Sequence, residues 1–384
     1  MKSLRLSLLF ASVAALSAPP ILFGQPAANR ATGMEIVAKL EKPANARPPA
    51  EKDLAGYLMV YFKDATHSAY FAINRDGYSF TDINGGQPVF NGADIAEQKG
   101  VRDPHIARGP DGAFYLSMTD LHVNGQRAGF RTTAWERPEP DYGWGNSRAL
   151  VLMKSYDLVH WTHSDFRVDR AFPEFAEVGC VWAPQTIFDE KKGKMMIYFT
   201  AKIRRGVDDL YYAYTDDAFT KMETTPVRYF SFPYPDGPLT DDERNRHHVI
   251  DGDITKVGDK FHLFYSSKEN GTPGIEHSVS DQINAGYPIV QKRVDPETKS
   301  SEAPNLFKRL GTDTYVLMYD AYGSGNMGFA ETTDFVTYKN LGLFNAGAMK
   351  GTNFDRPKHG AVMHVTLAEL KAVTTHWQVD LQLD

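Results

Sequence analysis

The stretch RDPHIARGPDGAFYLSMT, residues 102–119, decides the fold because its pattern returns three more times along the chain. Turn-forming residues at 109–112 separate two runs rich in apolar and aromatic residues, which predicts a strand, a tight turn and a second strand. A repeated unit of this kind predicts a repeated fold. The other copies are WAPQTIFDEKKGKMMIYFT (182–200), IDGDITKVGDKFHLFYSS (250–267) and EAPNLFKRLGTDTYVLMYD (302–320).

Each copy is followed by a third segment that resembles a strand, so the unit is longer than a hairpin. These third segments are 149–163, 210–222, 274–287 and 327–340. A fifth unit is predicted from both chain ends, with strands at 57–64 and 68–80 joined by one at 358–366. The pattern therefore predicts an all-β, five-bladed β-propeller whose last blade is closed by N- and C-terminal strands, which leaves no open sheet edge. One short helical pattern is present at Thr366–Val373.

The composition divides the 384-residue chain into four segments. Lys2 and Arg5 precede an apolar run at 6–18 that is too short to cross a bilayer, which is typical of a secretory signal peptide. We therefore expect a periplasmic or secreted protein without a membrane span. The predicted segments are a signal peptide at 1–28, an extended leader at 29–56, the propeller at 57–366 and a C-terminal tail at 367–384.

The net charge indicates which kind of partner to expect, and the cysteine content indicates whether a disulfide can form. The net charge is −6 and no long basic block is present, so nucleic acid is not an expected partner. This charge balance fits an uncharged ligand such as a carbohydrate. The single cysteine, Cys180, cannot form an internal disulfide and stands in an apolar segment, which predicts a small, buried hydrophobic residue.

The innermost strand of every propeller blade borders a central channel, so equivalent positions of different blades converge there. The equivalent positions predicted from the repeats are Asp103, the segment Trp182–Pro184, Asp251, Glu302 and His359. Three carboxyl groups from three blades would then face one pocket.

Four tripeptides stand at the start of these inner strands: Arg102-Asp103-Pro104, Trp182-Ala183-Pro184, Ile250-Asp251-Gly252 and Glu302-Ala303-Pro304. In this order and context they resemble the motifs of glycoside hydrolase family 43, a group of five-bladed propellers. Gly252 and Ala303 stand where that family usually has proline and glycine, and neither change removes an ionisable group. The resemblance implies hydrolysis of O-glycosyl bonds without a required cofactor. It is also compatible with a structural calcium or other ion bound in the central channel.

The resemblance also implies a role for each carboxyl group. Asp103 would be the general base, Glu302 the general acid, and Asp251 the third carboxylate, which tunes and orients the acid. Inverting hydrolysis needs a base and an acid roughly 6.5–9.5 Å apart, so that a water molecule fits between them. A neighbouring Asp251 would raise the pKa of Glu302 by like-charge repulsion and keep it protonated.

Other interpretations of these carboxyl groups stay open from the residues alone. Asp103 precedes a proline and could start a turn, and Glu302 could be a solvated strand end. Asp253 would lie on the same face of a regular strand as Asp251, and could be the modulator instead. Asp64 is the next candidate for the base if Asp103 is not.

Sugar recognition needs aromatic platforms and a few fixed polar groups. Trp182 is the strongest platform candidate because its blade position aims it at the channel. Trp144 and Trp135 belong to a long insertion, 120–148, that could wall the entrance of the pocket. Trp161, by contrast, matches an outer anchor of its blade and is predicted to be core.

Arg102 and His359 complete the predicted binding residues. Arg102 could stabilise an ionised Asp103, although adjacent strand residues face opposite sides. His359 resembles a histidine near the end of the family's propeller that holds an ion or water, and a purely structural strand histidine is the alternative. The pair His247–His248 is expected to be solvent-exposed rather than catalytic, on a loop that could border the pocket.

The favoured function is an exported, inverting, exo-acting glycosidase that removes arabinofuranosyl or related furanose or pentose residues from polysaccharides or oligosaccharides. A second hypothesis is a retaining enzyme with Asp103 as nucleophile, or a hydrolase of anhydro-sugars with a histidine acid. Retaining enzymes hold their two carboxyl groups only about 5–5.5 Å apart. A third hypothesis, from another class, is a carbohydrate-binding propeller without catalysis.

Overall fold

The computed structural model describes residues 33–130, 137–268, 271–290 and 292–380. The predicted signal peptide, 1–28, lies outside the described residues. The described chain forms five β-sheets, and the innermost strand of each contacts that of the next sheet around a closed circle. The five-bladed β-propeller predicted from the repeats is therefore confirmed. No helix in the described ranges has the length and apolarity that a membrane crossing needs.

We number the blades in chain order of their inner strands, and each blade is an antiparallel sheet built outward from the channel. Blade 1 is β5 (Val101–Arg108), β6 (Phe114–Asp120), β7 (Ala149–Ser155) and β8 (His160–Arg167), with β1 (Glu35–Ile36) added in parallel outside β8. Blade 2 is β9 (Val178–Asp189), β10 (Lys194–Ile203), β11 (Asp209–Tyr214) and β12 (Val227–Phe230). Blade 3 is β13 (Val249–Val257), β14 (Lys260–Ser267) and β15 (Gly274–Ser280). Blade 4 is β16 (Glu302–Lys308), β17 (Tyr315–Ala321), β18 (Asn326–Thr332) and β19 (Lys339–Leu343). Blade 5 is β21 (Lys358–Thr366), β2 (Leu54–Lys63), β3 (Ser68–Asn74) and β4 (Ser79–Asp82), with β20 (Lys350–Gly351) outside β4.

Two of the predicted third segments, 149–163 and 327–340, extend into a fourth strand. The segment 149–163 contains all of β7, a turn and the start of β8, and 210–222 continues eight residues beyond the end of β11 at Tyr214. The turns at these points give blades 1, 2, 4 and 5 a fourth strand, which the repeat analysis did not separate from the third.

Short helices lie in the connections between strands: α1 (Gly92–Ile95), α2 (Glu139–Tyr142), α3 (Val168–Ala171) and α4 (Asp241–Arg246). A longer helix, α5 (Leu367–Trp377), follows the last strand. Thr366 caps α5, accepting a hydrogen bond from the backbone N–H of Glu369 while the Glu369 side chain reaches back to it. The helix ends at Trp377 rather than at Val373 because Trp377 is buried with Val373 in the core between blades 5 and 1. Trp161 is fully buried in the same core, as predicted, and Cys180 is also buried.

The same irregularity interrupts the inner strand of every blade and aims the side chains that border the channel. The second residue of each motif has a left-handed backbone, and a register shift accompanies it. Bulges of this kind redirect a side chain relative to a regular strand. These residues are Asp103 (φ 52°), Ala183 (φ 48°), Asp251 (φ 57°), Ala303 (φ 57°) and His359 (φ 24°).

This backbone pattern corrects the predicted equivalence of the blades. Asp103, Asp251 and His359 occupy one position, as expected, but its counterpart in blade 4 is Ala303 rather than Glu302. Glu302 stands one residue earlier, at the position of Arg102 in blade 1. The prediction was wrong by one residue because a repeat aligned on its acidic residues carries no information on the backbone conformation.

In blades 3 and 4, the residue that follows the tripeptide bonds to the next blade. Asp253 accepts a hydrogen bond from the backbone N–H of Leu306 (3.0 Å) and another from the side chain of Asn305 (3.1 Å). Asn305 in turn accepts from the N–H of Val362 at 2.9 Å. These bonds link blade 3 to blade 4 and blade 4 to blade 5. Asp253 is therefore bonded to blade 4 through both of its carboxyl oxygens, and the N–H of Ala303 in the same blade also bonds to Asp251. Asp253 as the alternative modulator stays a prediction.

Candidate active site

Four titratable side chains from four blades act on one another at the channel. His359 of blade 5 is the common member: its Nδ1 lies 3.2 Å from Oδ1 of Asp103. The charges of Asp103, Asp251 and Glu302 all act on His359. The structure therefore brings together the three carboxyl groups and the histidine that the sequence singled out.

Asp103 is held in its ionised form. Burial alone would raise its pKa, but the charge and hydrogen bond of His359, the charge of Arg102 and a hydrogen bond from Thr119 lower it to about 2. The Thr119 hydroxyl donates to Oδ2 of Asp103 at 2.8 Å and accepts from the N–H of Ala183, also at 2.8 Å. Asp103 is thus a carboxylate at any pH near neutrality, as a general base must be.

Glu302 is held in its protonated form. Burial is the largest cause and the charge of Asp251 the second, followed by that of Asp320, and together they raise the pKa of Glu302 to about 8. The sequence predicted the repulsion from Asp251 and not the larger effect of burial. Asp320 lies directly opposite Glu302 in the β16–β17 ladder, and Lys358 pairs with its Oδ2 at 2.9 Å.

Asp251 and His359 add two opposite charges to the site. Burial, with the charge of Asp103 adding to it, raises the pKa of Asp251 to about 6, against lowering by His359 and His248. Burial would lower the pKa of His359, but Asp103 and Asp251 raise it to about 9. At pH 7 the site therefore holds two carboxylates, one imidazolium and one protonated carboxylic acid, Glu302.

Arg102 lies beside the base but binds elsewhere. Its guanidinium donates to Oδ1 of Asp64 at 2.7 Å and stands 4.5 Å from the ring centre of Phe62. Its charge still contributes to the low pKa of Asp103. Asp64, the reserve candidate for the base, is 57% exposed and paired with this arginine.

Trp182 and Trp144 form an aromatic pair at the start of blade 2. Their ring centres are 6.2 Å apart in an edge-to-face arrangement. The Trp182 indole donates to the carbonyl of Gly145 at 2.8 Å, and the Lys202 ammonium stands over its ring at 4.6 Å. Trp182 is thereby fixed in orientation, whereas Trp144 is 58% exposed.

The described parts of the 120–148 insertion surround a cavity beside this aromatic pair. The cavity has a volume of about 630 Å³ and is lined by Leu121, Arg127, Trp144 and Asn146, among others. Gly145 places the insertion against Trp182, since a Cβ at Gly145 would lie 3.3 Å from the indole. Trp135 lies outside the described residues.

The prediction that His247 and His248 are solvent-exposed is wrong, because both are half-buried. The side chain of His248 is only 15% exposed, and its Nδ1 lies 2.9 Å from Oδ2 of Asp208. Thr119, Asp208 and the Lys358–Asp320 pair were not predicted from the sequence. Of these, Asp320 could have been found from the hairpin register, which pairs it with Glu302.

The described residues contain no group of three or more His, Cys, Asp or Glu side chains arranged to hold a metal ion. An ion in the central channel therefore stays a prediction. His359, the residue expected to help hold it, uses its Nδ1 to contact Asp103.

Comparison with known proteins adds one family match and several structural similarities. The family model related to glycoside hydrolase family 43, described as a probable glycosyl hydrolase domain, matches residues 52–371. No curated protein matches the chain.

Three solved structures illustrate the structural similarity. An α-L-arabinanase of Cellvibrio cellulosa complexed with arabinohexaose has a TM-score of 0.49 and 13% identity, over 74% of this chain and 90% of that chain. An exo-1,5-α-L-arabinanase from a bovine ruminal metagenomic library has a TM-score of 0.49 and 14% identity, over 77% and 98%. The GH43_1 enzyme from Xanthomonas citri complexed with xylose has a TM-score of 0.42 and 14% identity, over 64% and 74%.

Proposed function

The chain belongs to the family of probable glycosyl hydrolase domains related to family 43, and on that premise we propose that Asp103 and Glu302 hydrolyse a glycosidic bond with inversion. The proposal rests on the difference between the pKa values of these two side chains, which both interact with His359. Asp103 has a pKa of about 2 and Glu302 one of about 8, so a base and an acid coexist across the neutral range.

In the proposed reaction, Asp103 takes a proton from a water molecule as the water oxygen attacks the anomeric carbon. The bond between that carbon and the leaving oxygen breaks, and Glu302 gives its proton to the leaving oxygen. His359, as an imidazolium, holds Asp103 in place. Asp251 contributes a negative charge that keeps Glu302 protonated until the leaving group needs the proton.

For the substrate, we propose a terminal arabinofuranosyl residue or a related furanose or pentose, removed in an exo-acting mode. The resemblance to family 43 supports this sugar class. The orientation of Trp182 and the insertion packed against it support a pocket rather than an open groove. The N-terminal sequence supports export to the periplasm or beyond the cell.

The test is hydrolysis of the 4-nitrophenyl glycosides of α-L-arabinofuranose, β-D-galactofuranose and β-D-xylose by the purified protein. NMR of the first product identifies its anomer. We expect release of nitrophenol from at least one of them, with the inverted anomer formed first. The retained anomer would favour the nucleophile hypothesis for Asp103, and binding of the free sugar without hydrolysis would favour a carbohydrate-binding propeller.

The pH dependence of kcat/KM gives a second check on the site. We expect activity to fall as pH rises through about 8, because Glu302 then loses the proton that it must donate. Asp251→Asn removes a negative charge that disfavours ionised Glu302, so it should move this alkaline limb by about one pH unit toward lower pH. Asp281→Asn is a suitable control because Asp281 is an exposed partner of Lys260. An unmoved limb in the Asp251 variant would contradict the assigned pairing.

A further inference from the structure

A polar cluster connects Trp182 with Asp251 across the boundary of blades 2 and 3. We call it the Asp208 cluster, and its members are Cys180, Lys202, Asp208 and His248. Oδ1 of Asp208 lies 3.2 Å from the Lys202 ammonium and accepts a weak hydrogen bond from the Cys180 thiol at 3.4 Å. Oδ2 lies 2.9 Å from Nδ1 of His248. The carboxylate is therefore fixed on both of its oxygens.

The cluster lies between Trp182 and the strand that carries Asp251. Lys202 stands over the ring of Trp182 at 4.6 Å, which ties one end of the cluster to the aromatic platform. His248 directly precedes β13, which carries Asp251, and its charge acts on the Asp251 carboxylate. The backbone N–H of Val249 also donates to the carbonyl of Asp208 at 3.1 Å, which holds the two segments together.

The contact with Asp208 determines which edge of the His248 ring is available. A carboxylate on Nδ1 fixes the ring orientation and directs the other nitrogen away from the carboxylate. In the described part of the chain, no residue makes a hydrogen bond with Nε2 of His248. The side chain keeps 15% exposure, so part of the ring is open to a solute.

We propose that Nε2 of His248 hydrogen-bonds a hydroxyl group of the bound sugar and so helps to select and orient the substrate. This inference rests on the proposed glycosidase function. Asp208 acts through His248 as a positioning residue, and Lys202 links that position to Trp182. The hydroxyl recognised would belong to the sugar held between the aromatic platform and Asp251.

The test compares two substitutions that imitate different halves of the imidazole. In His248→Asn the amide lies near the position of Nδ1 and can keep the contact with Asp208, but nothing replaces Nε2. In His248→Gln the longer side chain brings an amide to the position of Nε2. On the nitrophenyl glycoside that the wild-type enzyme hydrolyses, we expect kcat/KM to fall about ten- to a hundredfold in His248→Asn and clearly less in His248→Gln.

Monodeoxy versions of the same glycoside identify the hydroxyl group. If His248 binds one hydroxyl, the effect of His248→Asn should vanish for the analogue that lacks that hydroxyl and persist for the others. The control is His160→Asn, since His160 makes a similar contact of 2.7 Å with Asp157 on the outer strand of blade 1. Thermal melting of each variant establishes that it is folded.

The outcomes separate this inference from the function on which it rests. If the wild-type enzyme cleaves none of the three glycosides, the proposed function and this inference are overturned together. If it cleaves one and His248→Asn is as active as His160→Asn, only this inference is overturned. A loss that is equal for all deoxy analogues, or equal in the Asn and Gln variants, would assign His248 a structural role and overturn recognition through Nε2.

Discussion

Glu302→Gln is expected to lower kcat/KM by about 10²- to 10⁴-fold on glycosides whose leaving group must be protonated. The amide has nearly the shape of the carboxylic acid but cannot give up a proton to the leaving oxygen. Because Glu302 has a pKa of about 8, the wild-type side chain is already neutral at pH 7. The substitution therefore preserves the resting charge of the site, and we expect little change in thermal stability.

The dependence on the leaving group distinguishes loss of the acid from general damage. The loss should be large for an alkyl glycoside and much smaller for a 2,4-dinitrophenyl glycoside, whose phenolate leaves without a proton. Glu331→Gln is the matched control, because Glu331 lies in the third strand of the same blade and pairs with Lys339 at 2.7 Å. An equal loss on both classes of substrate would contradict the role of Glu302 as acid.

Asp103→Asn is expected to lower kcat/KM by about 10²- to 10⁴-fold on every substrate, whatever its leaving group. The reason is that water must be activated in each case, and an amide cannot accept the proton. Asparagine tolerates the left-handed backbone at this position, where φ is 52°, so the bulge should persist. Steady-state kinetics on the alkyl and dinitrophenyl glycosides gives the measurement.

Asp64→Asn is the control for this substitution. Asp64 is exposed and pairs with Arg102, and such surface pairs contribute little, so we expect activity within about twofold of the wild type. Full activity of the Asp103 variant together with inactivity of the Asp64 variant would transfer the role of base to Asp64. The pair of variants thus decides between the two candidates that the sequence left open.

Local sequence signals were sufficient to predict the closed ring of five blades. Turn residues between alternating apolar runs depend on backbone preferences and side-chain burial, which act within a few residues. Five copies of such a unit, one of them split between the chain ends, leave closure as the arrangement without open edges. The pairing of β21 with β2 is the observed result.

The positions of the acidic side chains relative to one another, such as that of Glu302, could not be predicted from the sequence in the same way. In a regular strand, side chains alternate strictly, so residues two apart share a face. The bulge at Asp251 breaks this alternation, and Asp253 is bonded to Asn305 and Leu306 of the next blade. A pattern read along one strand cannot reveal such a change, because the contact that stabilises it comes from another blade.

The amino-acid order was enough to establish the repeat, the number of blades and the identity of the acidic side chains, since each depends on short-range preferences or on side-chain chemistry. The tertiary structure decided their protonation states and the partners of His248. His359 contacts Asp103, and Asp208 contacts His248, although each pair is far apart in the chain. Glu302 is likewise buried by residues from distant parts of the chain. Proton affinity follows from burial and from neighbouring charges, and both exist only once the blades have closed into a ring.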